Sequence, residues 1–298
     1  MKSPLSVSFM FFLSADSFHR CRFCATIPVE FLTKGSWDML LFFDIDGTLI
    51  DDDTHQIPES TREALWKAHE RHHLLFINTG RTPCNLDPRL DSLPLDGLIL
   101  GCGTEIILRG QTLHSFSFSH AQSMQILQYF RKFQLPMFFE GREKISLDPL
   151  LPFTSALTSI HTYAEKTGIL GSATDPDFSF VKFFTFCEDP ETVRLLESAP
   201  DASFQCIDRG GSEHGWEGVP RGYSKAAGID RVLDALGESL DDCIAFGDSS
   251  NDLSMLLHVP CSVCMGQADE SVQKQCSMVT SRPNEDGIYR AMEKLGLI

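Results

Sequence analysis

Unbroken apolar runs alternate with amphipathic ones along two separate stretches of the chain. Residues 40–45 (LLFFDI) are apolar up to their acidic end, as in a strand buried on both faces of a parallel sheet. Residues 58–72 open on Pro58 and place Ala64, Leu65 and Ala68 at helical spacing. Two more buried-strand runs follow at 73–78 and 96–100. The alternation returns near the C-terminus. A helix is expected over 224–236 with Ser224 as its N-cap, a strand at 242–246 and a helix opening at 251–257. A strand at 261–265, a helix at 269–275, a short strand at 278–280 and a closing helix at 285–295 complete it. Strands alternating with helices in this way imply a parallel sheet with helices on its faces.

The middle of the chain has a different rhythm. Apolar segments at 106–108 and 112–118 flank Arg109-Gly110-Gln111, a hairpin signal. Helices are expected at 120–133, 154–166 and 190–198, and strands at 137–139, 180–186 and 203–207. Hairpins mixed with helices indicate an α+β layer. The expected organisation is therefore a discontinuous core of residues 39–105 and 219–298, interrupted by an inserted domain at 106–218. Residues 1–38 are set apart. Lys2 and the apolar stretch 5–13 resemble a signal peptide only weakly, and Met39 is a natural start for the first strand. This segment is expected to be an N-terminal extension, either disordered or an artefact of the gene model.

Composition narrows the function classes. With 298 residues, 42% hydrophobic and 22% charged, the chain is of the soluble globular type. Its net charge of −16 disfavours nucleic acid as a partner, since that binding depends on cations that neutralise phosphates. No apolar run approaches the ~18 residues of a membrane span. Ten cysteines are scattered without the spacing of a disulfide framework. Cys21/Cys24 and Cys261/Cys264 could together hold zinc, but reduced, buried thiols and a cytoplasmic setting are the favoured expectation.

The chemistry gathers at strand ends. Asp44 and Asp46 lie two apart just past the first strand, so in extended backbone both face the same way, and Gly47 permits a turn. Such a pair could also be a plain metal site or a solvated turn. Asp248, Asn251 and Asp252 form an oxygen-rich cluster after another strand, suited to a hard cation or, more plainly, to capping the next helix. The Thr79 hydroxyl and the backbone of Thr79-Gly80-Arg81 offer donors to a phosphoryl group. Lys225 at a helix start is a plausible phosphate partner. The acidic run Asp51-Asp52-Asp53 reads as a solvated flap.

These motifs, in this order, resemble the haloacid dehalogenase superfamily over residues 39–298, in the Cof-like branch with a large α/β cap. Asp44-x-Asp46-Gly-Thr matches the first motif of that family, Thr79 the second, Lys225 the third and Gly-Asp248-x-x-Asn251-Asp252 the fourth. The resemblance implies a Rossmann-like parallel-sheet core with an inserted α+β cap domain. It implies that Asp44 is the nucleophile that forms an aspartyl-phosphate and that Asp46 is the general acid and base. Mg²⁺ would be held by Asp44, the Asp46 main-chain carbonyl and Asp248, with Asn251 and Asp252 outside them. Thr79, Gly80 and Lys225 would bind the transferring phosphoryl group. The expected substrate is a small phosphorylated metabolite such as a sugar phosphate. A phosphomutase of the same superfamily and a non-catalytic binding protein on this fold are the alternatives. Candidate substrate-facing segments are 101–105, 141–144 and 210–214, though each also reads as an ordinary polar loop. Oligomeric state is left open.

Overall fold

The computed structural model describes residues 39–200, 202–210 and 214–298. The expectation for residues 1–38, the Cys21/Cys24 pair and much of the 210–214 segment lie outside the described residues. The first sheet contains β1 (Leu40–Phe43), β2 (Leu74–Asn78), β3 (Gly97–Leu100), β4 (Glu105–Leu108) and β5 (Gln111–Ser115). The chain then leaves for a second sheet made of β6 (Met137–Glu140), β7 (Ile145–Leu147), β8 (Leu170–Ser172), β9 (Lys182–Phe186), β10 (Phe204–Gly210) and β11 (Gly215–Pro220). It returns to the first sheet with β12 (Cys243–Gly247), β13 (Cys261–Cys264) and β14 (Met278–Val279). The orders are β14-β13-β12-β1-β2-β3-β4-β5 and β10-β11-β9-β6-β7-β8.

The strands from β14 to β3 are parallel, as their continuous apolar character requires. Alternation along β1 sends Leu41 and Phe43 to one face and Leu40 and Phe42 to the other, and each pair joins a different core. On the first face lie Ala64, Leu65 and Ala68 of α1 (Glu59–Glu70), together with residues from a C-terminal helix (Gly287–Lys294). On the second lie Ile229, Val232 and Leu233 of a helix that spans Lys225–Leu236. This is a doubly covered α/β core. From β1 the chain runs through β2 and β3 on one side, then through β12, β13 and β14 on the other. The strand order therefore reverses between β1 and β12, and open α/β sheets bind ligands at such a switch point.

The hairpin at residues 105–115 departs from the expectation. The sequence pattern places it in the inserted layer, but β4 pairs antiparallel with β3 and extends the core sheet. The cause is local. Gly101, Cys102 and Gly103 all take positive φ, which turns the chain back along the strand it has just left. The second sheet is antiparallel apart from β7–β8. Its core is a phenylalanine cluster that includes Phe130, Phe139, Phe180, Phe183 and Phe204, all buried. Burying such a ring stabilises by about 1.5–3 kcal/mol. Gly218 of β11 makes room for this packing, since any Cβ there would strike the Phe183 ring on the neighbouring strand.

Candidate active site

The carboxyl ends of β1 and β12 carry Asp44 and Asp248 to the switch point. The backbone N–H of Asp44 donates to the Phe246 carbonyl at 3.0 Å, which locks the two strand ends side by side. Gly47 then turns the chain with φ +74°, and a Cβ at that position would collide with the Asp248 carboxylate. The glycine therefore sets how closely the two acidic motifs approach. Thr48 donates its hydroxyl to Asp248 Oδ1 at 3.3 Å. Carboxylate oxygens of Asp44, Asp248 and Asp252 all lie within 4.8 Å of one another, the one such group among the described residues.

A single buried cation serves these three acids. Lys225 opens its helix after the Ser224 cap, whose hydroxyl accepts the Ala227 N–H at 3.0 Å. Asn78 at the end of β2 donates to the Lys225 carbonyl at 2.9 Å and fixes where that helix begins. The Lys225 ammonium meets Asp44 Oδ1 at 2.6 Å and also bonds Asp252 Oδ1. Asp252 spends its other oxygen on the N–H groups of Asp248 and Ser249, each at 3.0 Å. Burial and then Asp252 push the Asp44 carboxyl up to about 7, against the pull of Lys225. Burial, Asp252 and Asp44 push Asp248 up to about 8. Both shifts express burial first, and then three crowded carboxylates sharing one positive charge. A divalent cation with a preference for oxygen ligands fits this deficit.

The remaining expected residues divide in two. Asp44, Asp46, Thr79, Gly80, Asp248 and Asn251 line one cavity of about 540 Å³. Lys225 and Asp252 lie beneath its floor, almost wholly buried, and reach it through Asp44 and the Asp248 loop. Thr79 accepts the Arg81 N–H at 3.2 Å on its hydroxyl oxygen, leaving its own proton for a ligand. The Asp46 carboxylate is not among the clustered acids. It points outward and is gripped in a fork by Arg81, Nε to Oδ2 at 2.8 Å and Nη2 to Oδ1 at 2.5 Å. The sequence reading used only the backbone of Arg81. Its position two residues past Thr79, on the loop facing the first motif, was the signal that could have found the side chain. The acidic run also differs from expectation: Asp51 is buried and accepts the Thr54 N–H at 2.8 Å, while Asp52 and Asp53 are exposed.

The second sheet roofs the cavity. Glu140 of β6, Lys182 of β9, Arg209 of β10 and Glu217 of β11 line it, with Phe184 of β9 and Tyr163 of α3 (Ser155–Thr167), taking the intervening helix of residues 120–130 as α2. None of these six was named from the sequence. Lys182 bridges Glu140 at 2.7 Å and Glu217 at 2.6 Å, and Arg209 lies 3.4 Å from Glu217. Burial alone would raise Glu217, but Lys182 and Arg209 outweigh it and hold the carboxyl below its ordinary range. Burial pushes Glu140 up, and Lys182 opposes it. Of the expected substrate-facing segments, 101–105 does not line the cavity, and its Cys102 lies buried against Glu217 at 3.8 Å. Arg142 of segment 141–144 instead grips Glu105 on the core sheet at 2.6 and 2.8 Å. The eight described cysteines carry free thiols. No described helix is long and apolar enough to cross a membrane.

Comparison with known proteins gives one family. The model of the haloacid dehalogenase-like hydrolases matches residues 41–292. The chain is 29% identical to the putative phosphatase YkrA of Bacillus subtilis over 262 residues, 87% of this chain and 98% of that protein. It is 30% identical to the HMP-PP phosphatase of Escherichia coli over 243 residues, 77% of this chain and 84% of that one. Among solved structures, a subclass IIB sugar phosphatase of the superfamily superposes with a TM-score of 0.72 at 29% identity, covering 87% of this chain and all of the other. Fold, motif order and family model agree that the chain belongs to the haloacid dehalogenase-like hydrolases, in the Cof-like branch with an α+β cap, and is a phosphoric monoester hydrolase.

Proposed function

We propose that this protein is a Mg²⁺-dependent phosphatase that hydrolyses a small phosphorylated metabolite, a sugar phosphate or a similar ester, through an aspartyl-phosphate on Asp44. One observation carries the reading: three carboxylates lie within 4.8 Å of one another, with Lys225 bonded to two of them, at and beneath the floor of a roofed cavity of about 540 Å³. Lys225 holds Asp44 by one oxygen, which leaves the other to attack phosphorus and displace the alcohol. Asp46, on the outer side of the cavity, protonates the departing oxygen and then takes a proton from the water that hydrolyses the acyl phosphate. Arg81 holds Asp46 as the carboxylate, the form that takes the proton from water, and releases one oxygen, which then carries the proton, for the acid step. The free proton of Thr79 and the Gly80 N–H bind the phosphoryl oxygens, since the Thr79 and Arg81 N–H groups donate to the Ile99 carbonyl and the Thr79 hydroxyl.

A carboxylate that approaches a phosphate dianion meets repulsion of roughly several kcal/mol in a partly dry site. Asp44, Asp248 and the Asp46 main-chain carbonyl would hold the Mg²⁺, and Asn251 and Asp252 would order its surroundings. The ion supplies charge neutralisation for the dianion when bound. We place the working division of the chain at 39–115 and 221–298 for the core and 116–220 for the cap, because β4 and β5 extend the core sheet and β11 ends the second one. The setting we assign is cytoplasmic, with neither nucleic acid nor membrane as partner.

The test is hydrolysis of p-nitrophenyl phosphate with and without Mg²⁺ in the wild type and Asp44→Asn. Mg²⁺-dependent turnover that falls by roughly four orders of magnitude in the variant supports the reading. A wild type that is inert across phosphate esters contradicts it.

A further inference from the structure

One buried residue behind the cavity holds a backbone conformation that its own side chain resists. Cys102 has φ +57° and ψ +38°, in the left-handed region that a Cβ disfavours, and it is 3% exposed. The turn it centres, Gly101–Gly103, backs the loop of residues 79–81. The N–H of Cys102 donates to the Thr79 carbonyl at 3.0 Å, and the N–H of Gly101 donates to the Arg81 carbonyl at 2.8 Å. The Thr79 N–H is held by the Ile99 carbonyl and the Arg81 N–H by the Thr79 hydroxyl, so the backbone is pinned on both sides of Gly80. The turn also packs on the start of the helix that carries Lys225, where a Cβ at Gly103 would strike the Ser224 carbonyl.

The Cys102 side chain adds a contact that no local turn requires. Its thiol donates to Glu217 Oε1 of the second sheet at 3.8 Å. Burial and then the Glu217 charge push the thiol up to about 12, so it remains a donor at neutral pH. Thiol and carboxylate together close over Gly80: a Cβ there would lie 3.2 Å from Glu217 Oε1 and 3.5 Å from the Cys102 sulfur. Glycine or asparagine would fit the backbone of residue 102 with less strain. A buried cysteine kept in this conformation points to a use for its side chain. Cys102 does not line the cavity, so its effect on a ligand passes through the loop it backs.

We propose that Cys102 is a positioning residue for phosphate binding: its left-handed turn braces the Thr79–Arg81 loop from behind, and its thiol seats that brace against Glu217. The proposal rests on the phosphatase reading of the cavity and deepens it, assigning the set of the phosphate loop to a residue that belongs neither to the cavity lining nor to the acidic cluster.

The test measures inorganic phosphate binding by calorimetry in Mg²⁺-saturated protein, with KM and kcat for p-nitrophenyl phosphate and the melting temperature beside it. Cys102→Ala keeps the strained backbone and removes the thiol. It is expected to weaken phosphate binding and raise KM about fivefold, the loss of roughly one hydrogen bond, with Mg²⁺ affinity unchanged. Cys102→Ser restores a donor and is expected to bring both values back to within about twofold of the wild type. Cys102→Gly relieves the backbone and is expected to melt no lower than Cys102→Ala while binding phosphate no more tightly. A side chain that only fills space would do the reverse, lowering the melting temperature and leaving phosphate affinity alone. Phosphate binding that is unchanged in Cys102→Ala, restored in Cys102→Gly or not recovered in Cys102→Ser overturns the positioning role alone. A wild type that binds phosphate but turns over no ester overturns the phosphatase reading, and the positioning role then stands or falls on the three phosphate affinities. A wild type that binds no phosphate overturns both.

Discussion

Two lysines are buried among the described residues, and each bridges two carboxylates. Lys225 on the floor joins Asp44 and Asp252, and Lys182 on the roof joins Glu140 and Glu217. The contacts look alike, but the surroundings differ. The floor has a third acid, Asp248, and no second cation, while the roof has Arg209 and no third acid. The floor is therefore short of positive charge and the roof is balanced. The same motif, a buried ammonium between two acids, can prepare a site for a metal ion and a dianion or complete a neutral wall. What decides is the charge one contact further out.

Replacing each lysine by methionine breaks the comparison most directly. Lys225→Met is expected to lower kcat by roughly 10²–10³-fold, because Asp44 loses its anchor and the acidic floor loses its buried cation. Lys182→Met is expected to act mainly on KM and on the choice of ester. Equal losses of kcat in the two variants, measured on p-nitrophenyl phosphate, would remove the distinction between floor and roof. Both variants leave buried carboxylates unpaired, so each is also expected to lose about 3–5 kcal/mol of stability in chemical denaturation.

The dependence of stability on pH sharpens the contrast. Asp248 is raised from 3.8 to about 8. A carboxyl with a raised folded pKa keeps its proton when folded and gives it up when unfolded. Its contribution is whole below the unfolded value and is lost as pH rises through the folded one. Glu217 has the opposite sign. Its folded pKa is depressed, so its contribution is present above the unfolded value and disappears as pH falls. Metal-free protein is expected to lose melting temperature as pH climbs from about 4 to 8, and saturating Mg²⁺ is expected to flatten that slope. An unchanged slope with Mg²⁺ would separate the acidic cluster from metal binding. The smallest effect is expected from Arg81→Lys. It exchanges a two-point grip on Asp46 for a one-point contact and is expected to cost about tenfold in kcat with little change in stability.

The floor was legible in the sequence because each of its residues sits just past a buried strand or at a helix start. Asp44, Asp46, Thr79, Lys225, Asp248, Asn251 and Asp252 stand in short motifs whose order fixes the fold. The apolar runs behind them have no other reading than buried parallel strands. The roof was not legible. Its four charges sit singly on β6, β9, β10 and β11 and meet only when those strands pair. One of them, β11, escaped notice because Gly215 and Gly218 interrupt its pattern. Gly218 is there to admit the Phe183 ring, a demand that arises across strands and leaves no local trace. β7 and β8, three residues each, are too short to carry a period. The β4–β5 hairpin was recognised as a hairpin but given to the wrong sheet. Its turn chemistry was visible at Arg109-Gly110, but the positive-φ reversal at Gly101–Gly103 that attaches it to β3 was not.

The most direct test of the charge-deficient floor is calorimetric titration of Mg²⁺ into metal-stripped wild-type protein and Asp248→Asn. The account predicts one ion bound per wild-type chain and binding lost or greatly weakened in the variant. A wild type that takes up no Mg²⁺, or a variant that binds it equally well, would contradict it.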